Sequence, residues 1–261
     1  MRNYLHSLYH EVFKSHQGDD AKIDRKVILI LVYTAVAVST ARYFGNTDVF
    51  LGSLLHPPSK FGLWYCSFFY GSQLGRFHSM LFWVLMIVVF YLVIPMMMVR
   101  FVFRQPIRDY GFRFRGIHKD YPIYLLMLAI MFPLVWAASS TQPFLDRYPL
   151  FQPAKGTLFP VFIYWQIAYL LQFVAVEFFF RGFILHGLKE RFGYYAIFIM
   201  TIPYCMIHFG KPYAETMAAI PAGIILGALS LKSRSVILGV LIHYSVAISM
   251  DIFALWREGY F

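Results

Sequence analysis

Residues 159–185 read FPVFIYWQIAYLLQFVAVEFFFRGFIL. The run holds one acid, Glu177, and one base, Arg181; everything else is apolar or aromatic apart from Gln166, Gln172 and Gly182. A helix needs about 20 such residues to cross a hydrocarbon core of about 30 Å. The stretch therefore reads as a membrane-spanning helix with an ion pair inside it. Glu177 and Arg181 stand four apart, share a helix face and can pair. Charge at that depth is costly and usually faces a bundle interior or a wet cavity. This helix thus decides the fold class and shows where to look for function.

The rest of the chain agrees. Its 261 residues are 59% hydrophobic and only 14% charged, with a mean hydropathy of +0.59. A soluble domain carries about 25% charged residues. Seven apolar spans are expected, near 27–43, 79–103, 121–139, 159–185, 194–209, 216–231 and 235–255, with an extra half-span in 61–70. The fold class is an all-α polytopic transmembrane helical bundle of about seven or eight spans. The fifth and sixth spans are short, as suits helices shielded by neighbours. The division expected is an interfacial segment at 1–26, transmembrane helices and a basic loop at 27–157, and a core at 158–255. In 4–13, Leu5, Leu8, Tyr9, Val12 and Phe13 follow the spacing of a surface-lying amphipathic helix. Residues 1–26 lack a signal-peptide pattern.

The sequence pI of about 9.6 does not point to nucleic acid, because the basic residues are dispersed among loops between apolar spans. Arg2, Lys14, Lys22, Arg25 and Lys26 fall on one side. So do Arg100, Arg104, Arg108, Arg113, Arg115 and Lys119, then Lys189, Arg191, Lys232 and Arg234. Lys60, Arg76, Arg147, Lys155, Lys211 and Arg257 fall on the other. The positive-inside rule then puts the N-terminus in the cytoplasm and the C-terminus outside. The stretch 108–119 reads either as an ordinary basic loop or as a contact with anionic headgroups. Cys66 and Cys205 lack metal-type spacing.

Two histidines join the ion pair. Counted from the inner ends of their spans, Glu177 lies about 18 Å deep, His208 about 21 Å and His243 about 12 Å. Three helices can thus deliver them to one layer. Glu215 and Asp251 lie further out, at about 24 Å each; the first suits a helix N-terminus and the second the outer headgroups. Pro203 should kink the helix before His208, and Gly210 and Pro212 break it afterwards. Ala218, Ala219, Ala222, Gly223, Gly227 and Ala228 permit close helix contact. A purely structural reading remains open: a buried ion pair that fixes packing, and histidines that join helices.

These residues resemble the CPBP family of intramembrane proteases, the Abi or CAAX-protease family. The first motif of that family, EExxxR, is met by VEFFFRGF (Val176 to Phe183). The second, FxxxH, is met by YCMIH (Tyr204 to His208), and the third, HxxxN, by HYSVA (His243 to Ala247). The segment GIILGALSLKSRS (Gly223 to Ser235) also fits. The resemblance covers 158–255. It has three departures: Val176 stands where the family places the Glu that activates water, Ala247 where it places an oxyanion-binding Asn, and Tyr204, a mild change, where it places Phe.

The resemblance implies an intramembrane endopeptidase acting on a membrane-anchored peptide or protein. The expected catalytic set is Glu177, His208, His243, Arg181 and Glu215. Glu177 or Glu215 would polarise a water with His208. His243 would hold the oxyanion, helped by Tyr244 or Ser245, and Arg181 would orient Glu177. No cofactor is expected; a zinc version would use both histidines and one or two acids, although no HExxH occurs. The competing reading is an inactive relative that binds or chaperones membrane clients. A transporter is disfavoured, since no inverted repeat or paired broken helices appear. The expected location is a bacterial inner membrane.

Overall fold

The computed structural model describes residues 24–45, 67–69, 73–113, 120–152 and 158–261. Among them every regular element is a helix. Six helices are long and apolar enough to cross a membrane: α1 (Arg25–Phe44), α2 (Gly75–Val102), α3 (Tyr121–Ala138), α4 (Val161–Phe192), α6 (Tyr213–Ser233) and α7 (Ile237–Arg257). Between α4 and α6 lies the shorter apolar α5 (Tyr195–Met206). These seven coincide with the seven expected spans, and the chain is an integral membrane protein. The amphipathic stretch 4–13, most of the half-span 61–70 and residues 114–119 lie outside the described residues.

Contacts between helix ends fall into two sets. At one end of the bundle, Lys26 pairs with Glu190 at 3.3 Å and Lys232 with Asp120 at 3.1 Å. The Val236 N–H donates to Gly111 O at 3.0 Å. At the opposite end, Tyr148 donates to Glu215 at 2.9 Å, and Arg257 Nε donates to Ser139 Oγ at 3.4 Å.

α4 is the axis of the bundle. Of its most apolar window 72% is buried, against 11% for α3. α3 instead presents Leu125, Leu126, Ile130 and Leu134 outward, as a lipid-facing helix does. Over Phe178–His186 the α4 backbone widens to π-helical turns, a distortion common at functional sites. Its Phe178, Phe179, Phe180 and Phe183 are fully buried and stack among Tyr33, Tyr91, Phe103 and Phe112.

α5 has twelve residues, a rise of about 18 Å, too short to span. The chain turns at 207–212 and returns as α6, so the end of α5 lies within the bundle. The small residues of α6 do what their size predicts. A Cβ on Gly223 would meet Thr201 and Tyr204 side-chain atoms at 3.0–3.1 Å, and one on Gly227 would meet Ile197 and Met200 at 3.1 Å. This close approach seats Tyr204 against α6.

Asp251 is fully buried within the protein. It accepts from the Leu150 N–H at 2.8 Å, Gln166 Nε2 at 2.9 Å and Trp165 Nε1 at 3.2 Å. The connection between α3 and α4, with its helical turn Gln142–Leu145, packs Phe144 and Tyr148 against Ala254 and covers this end of α7. Asp251 is therefore a fold group that ties a loop and α4 to α7. Asp251→Ala would orphan three donors, and a single hydrogen bond to a charged group is worth about 1.5–3 kcal/mol. Thermal unfolding in detergent should show a loss of at least about 3 kcal/mol; an unchanged transition would contradict this role.

Candidate active site

α4 and α7 bring Glu177, Arg181 and His243 together. Arg181 Nη1 donates to Glu177 Oε1 at 3.0 Å, and His243 Nδ1 meets the same oxygen at 2.9 Å. Glu177 and Arg181 are both fully buried, whereas the His243 side chain keeps 18% of its exposure. A carboxylate only accepts, so Nδ1 of His243 carries the proton. Its Nε2 is left for another partner. The imidazole also packs on Phe173, with ring centroids 4.4 Å apart.

Tyr204 of α5 is the hub between this array and His208. The Arg181 guanidinium lies over the Tyr204 ring, 3.9 Å from its centroid, a cation–π contact that strengthens when desolvated. The His208 ring packs edge-on against Tyr204 at 4.8 Å, and the His243 ring lies 6.2 Å away. His208 Nδ1 lies 2.9 Å from Tyr204 O. A carbonyl cannot donate, so Nδ1 carries the proton here too and Nε2 has a free lone pair. The bond also satisfies one of the carbonyls that a helix end leaves open. Thr216 Oγ1 donates to His208 O at 2.9 Å and fixes the turn. The turn after α5 and the helix α7 thus deliver two imidazoles with proton-free Nε2 atoms to the surroundings of one tyrosine.

Other expected residues stand elsewhere. Glu177 pairs with His243 rather than with His208. The Glu215 carboxylate takes Tyr148 Oη on both oxygens at 2.9 Å and Lys211 Nζ at 2.6 Å. Among the described residues no hydrogen bond or ion pair joins it to His208. It fastens the connection between α3 and α4 to the start of α6. Burial, and then the nearby Glu215 charge, push the Tyr148 hydroxyl well above its ordinary pKa and keep it a donor.

Val176 packs in the main apolar cluster with Tyr204 and Ala219. Ala247 packs with Phe173 and Val240. Neither position offers a polar group. Ser245 lines a lateral groove with Phe132, Ile248, Ser249, Ile252 and Phe253. It stands two residues from His243, and a helix turns that interval to another face. Tyr244 contacts Phe173 with ring centroids 6.3 Å apart. Among the described residues no group of three or more His, Cys, Asp and Glu stands close enough to hold a metal ion.

The sequence reading missed Tyr204 as the group holding the site together. Its signal was present in the family motif, where it stands four residues before His208, but a lone aromatic in an apolar helix reads as packing.

Residues 158–249 match the family described as type II CAAX prenyl endopeptidase Rce1-like. No match is found among the curated proteins or the solved structures. The matched segment contains Glu177, Arg181, His208, Glu215 and His243, and it agrees with the resemblance to the CPBP family.

Removing one member of a buried ion pair strands the other charge and costs about 3–5 kcal/mol. Arg181→Met should therefore lower stability by about that amount. The same change in a Glu177→Gln background should cost far less. Equal losses in the two backgrounds, measured by thermal unfolding in detergent, would contradict the pairing.

Proposed function

We propose that this integral membrane protein, Rce1-like over residues 158–249, is an intramembrane endopeptidase whose water-activating group is His243. The observation that carries this reading is the 2.9 Å contact between His243 Nδ1 and the buried Glu177. A buried carboxylate on Nδ1 fixes the tautomer and the ring orientation and stabilises the imidazolium formed on proton uptake. Arg181 holds the carboxylate in place. In this reading water gives a proton to His243 Nε2, and its oxygen adds to the scissile carbonyl. The imidazolium then returns the proton to the leaving amine as the C–N bond breaks. His208 Nε2, also beside Tyr204, accepts a hydrogen bond from the water or the scissile N–H. The motif-based reading gave water activation to Glu177 or Glu215 with His208. The assignment moves to His243 because that is the imidazole with a carboxylate behind it.

The substrate class is a peptide or protein held at the bilayer by a lipid or apolar tail. A bacterial inner membrane, with the N-terminus cytoplasmic and the C-terminus outside, fits the distribution of basic residues.

A second reading, an inactive relative that binds membrane clients, has its own support: Val176 and Ala247 are apolar, buried and packed. One comparison separates the two. Wild type and His243→Gln, in liposomes, are offered peptides with membrane-anchored tails. A general base contributes about 10²–10⁴-fold, so His243→Gln should lower kcat by about that factor. Cleavage that survives His243→Gln would refute the assignment. A folded wild type that retains anchored peptides without cutting them would establish the binding protein instead.

A further inference from the structure

Gly239 lies in α7, one turn before His243. A glycine inside a helix is costly relative to alanine, so a position that keeps one invites a local reason. Here the reason is the site carboxylate. A Cβ built on Gly239 would meet Glu177 Oε2 at 2.6 Å, Glu177 Cδ at 3.4 Å and Glu177 Cγ at 3.9 Å. The first distance lies below any ordinary contact.

The two oxygens of Glu177 therefore have different tasks. Oε1 takes the bonds from Arg181 and His243. Oε2 is buried and receives no N–H or O–H among the described residues. It lies against the α7 backbone at Gly239. A Cα–H facing a carbonyl-type oxygen is a weak hydrogen bond at best, so the contact is mainly a stop. We infer that Gly239 is a positioning residue: the bare α7 backbone there sets how far the Glu177 carboxylate advances, and so aligns Oε1 with His243 Nδ1. The same helix face, one turn apart, supplies both the stop and the imidazole.

The inference deepens the proposed function and rests on the Glu177–His243 pair having a role. Its test does not need activity. Imidazole ¹H–¹⁵N spectra of the histidine-labelled full-length protein report the His243 Nδ1–H bond to the carboxylate, assigned by its loss in His243→Gln. In Gly239→Ala this resonance should move upfield or vanish. In Gly227→Ala, a tight α6 position whose Cβ would meet Ile197 and Met200 at 3.1 Å, it should stay as in wild type. An unmoved resonance in Gly239→Ala overturns the inference, as does an equal change in Gly227→Ala.

Should Gly239→Ala fail to fold, Glu177→Asp/Gly239→Ala decides. Aspartate withdraws the carboxylate by about 1.5 Å, one C–C bond, and makes room for the methyl group. Recovery of a folded double variant supports the contact; failure of both overturns it. A spectral change in a protein whose wild type cleaves nothing would keep the positioning role and defeat the protease reading. An unmoved resonance in an active wild type would do the reverse.

Discussion

The structure depends on a guanidinium and a carboxylate buried together on one helix. Taking either charge out of water alone is prohibitive, and even a pair needs good geometry to break even. Arg181 and Glu177 are held from three sides, while Arg181 Nε and Nη2 and Glu177 Oε2 have no hydrogen-bond partner among the described residues. Their i, i+4 spacing aligns them, α7 supplies an imidazole donor to the carboxylate, and α5 lays the Tyr204 ring under the guanidinium. Three helices must converge for that to happen. The polar pair therefore specifies how α4, α5 and α7 pack, in a bundle whose apolar surfaces would tolerate many arrangements.

In the proposed reading the same convergence supplies the chemistry. Two imidazoles are each committed at Nδ1, one to a carboxylate and one to a backbone carbonyl, which leaves two Nε2 atoms for substrate or water. The short α5 matters as much as the charges. A full-length span would carry the chain past the layer of Glu177, whereas its end at Met206 leaves His208 beside Tyr204. Residue 176, next to the acid, packs in the apolar core; in the proposed reading the carboxylate that remains orients His243 and does not meet water.

Much of this was legible in the sequence. The spans were, because hydrophobic length is a direct consequence of bilayer thickness. The pairing of Glu177 with Arg181 and the common layer of Glu177, His208 and His243 were too, since helix rise and spacing are regular. The partners across helices were not. Rotation about a helix axis decides whether Glu177 meets His208 or His243, and depth estimates carry no rotational information. The task of Asp251 was hidden for a related reason: its three donors come from residues 150, 165 and 166, and only the fold of the connection between α3 and α4 makes them neighbours. Glu215 looked like a spare carboxylate until Tyr148, far off in sequence, occupied it.

The most direct test of the account is the energy coupling between Glu177 and His243. A double-mutant cycle with Glu177→Gln, His243→Phe and the pair, read from thermal unfolding in detergent, isolates it. Residues sharing a hydrogen-bonded network couple by about 0.5–3 kcal/mol, and a buried charged contact belongs in the upper part of that range. A coupling of about 2 kcal/mol is predicted; additive effects of the two substitutions would contradict the arrangement on which the site is built.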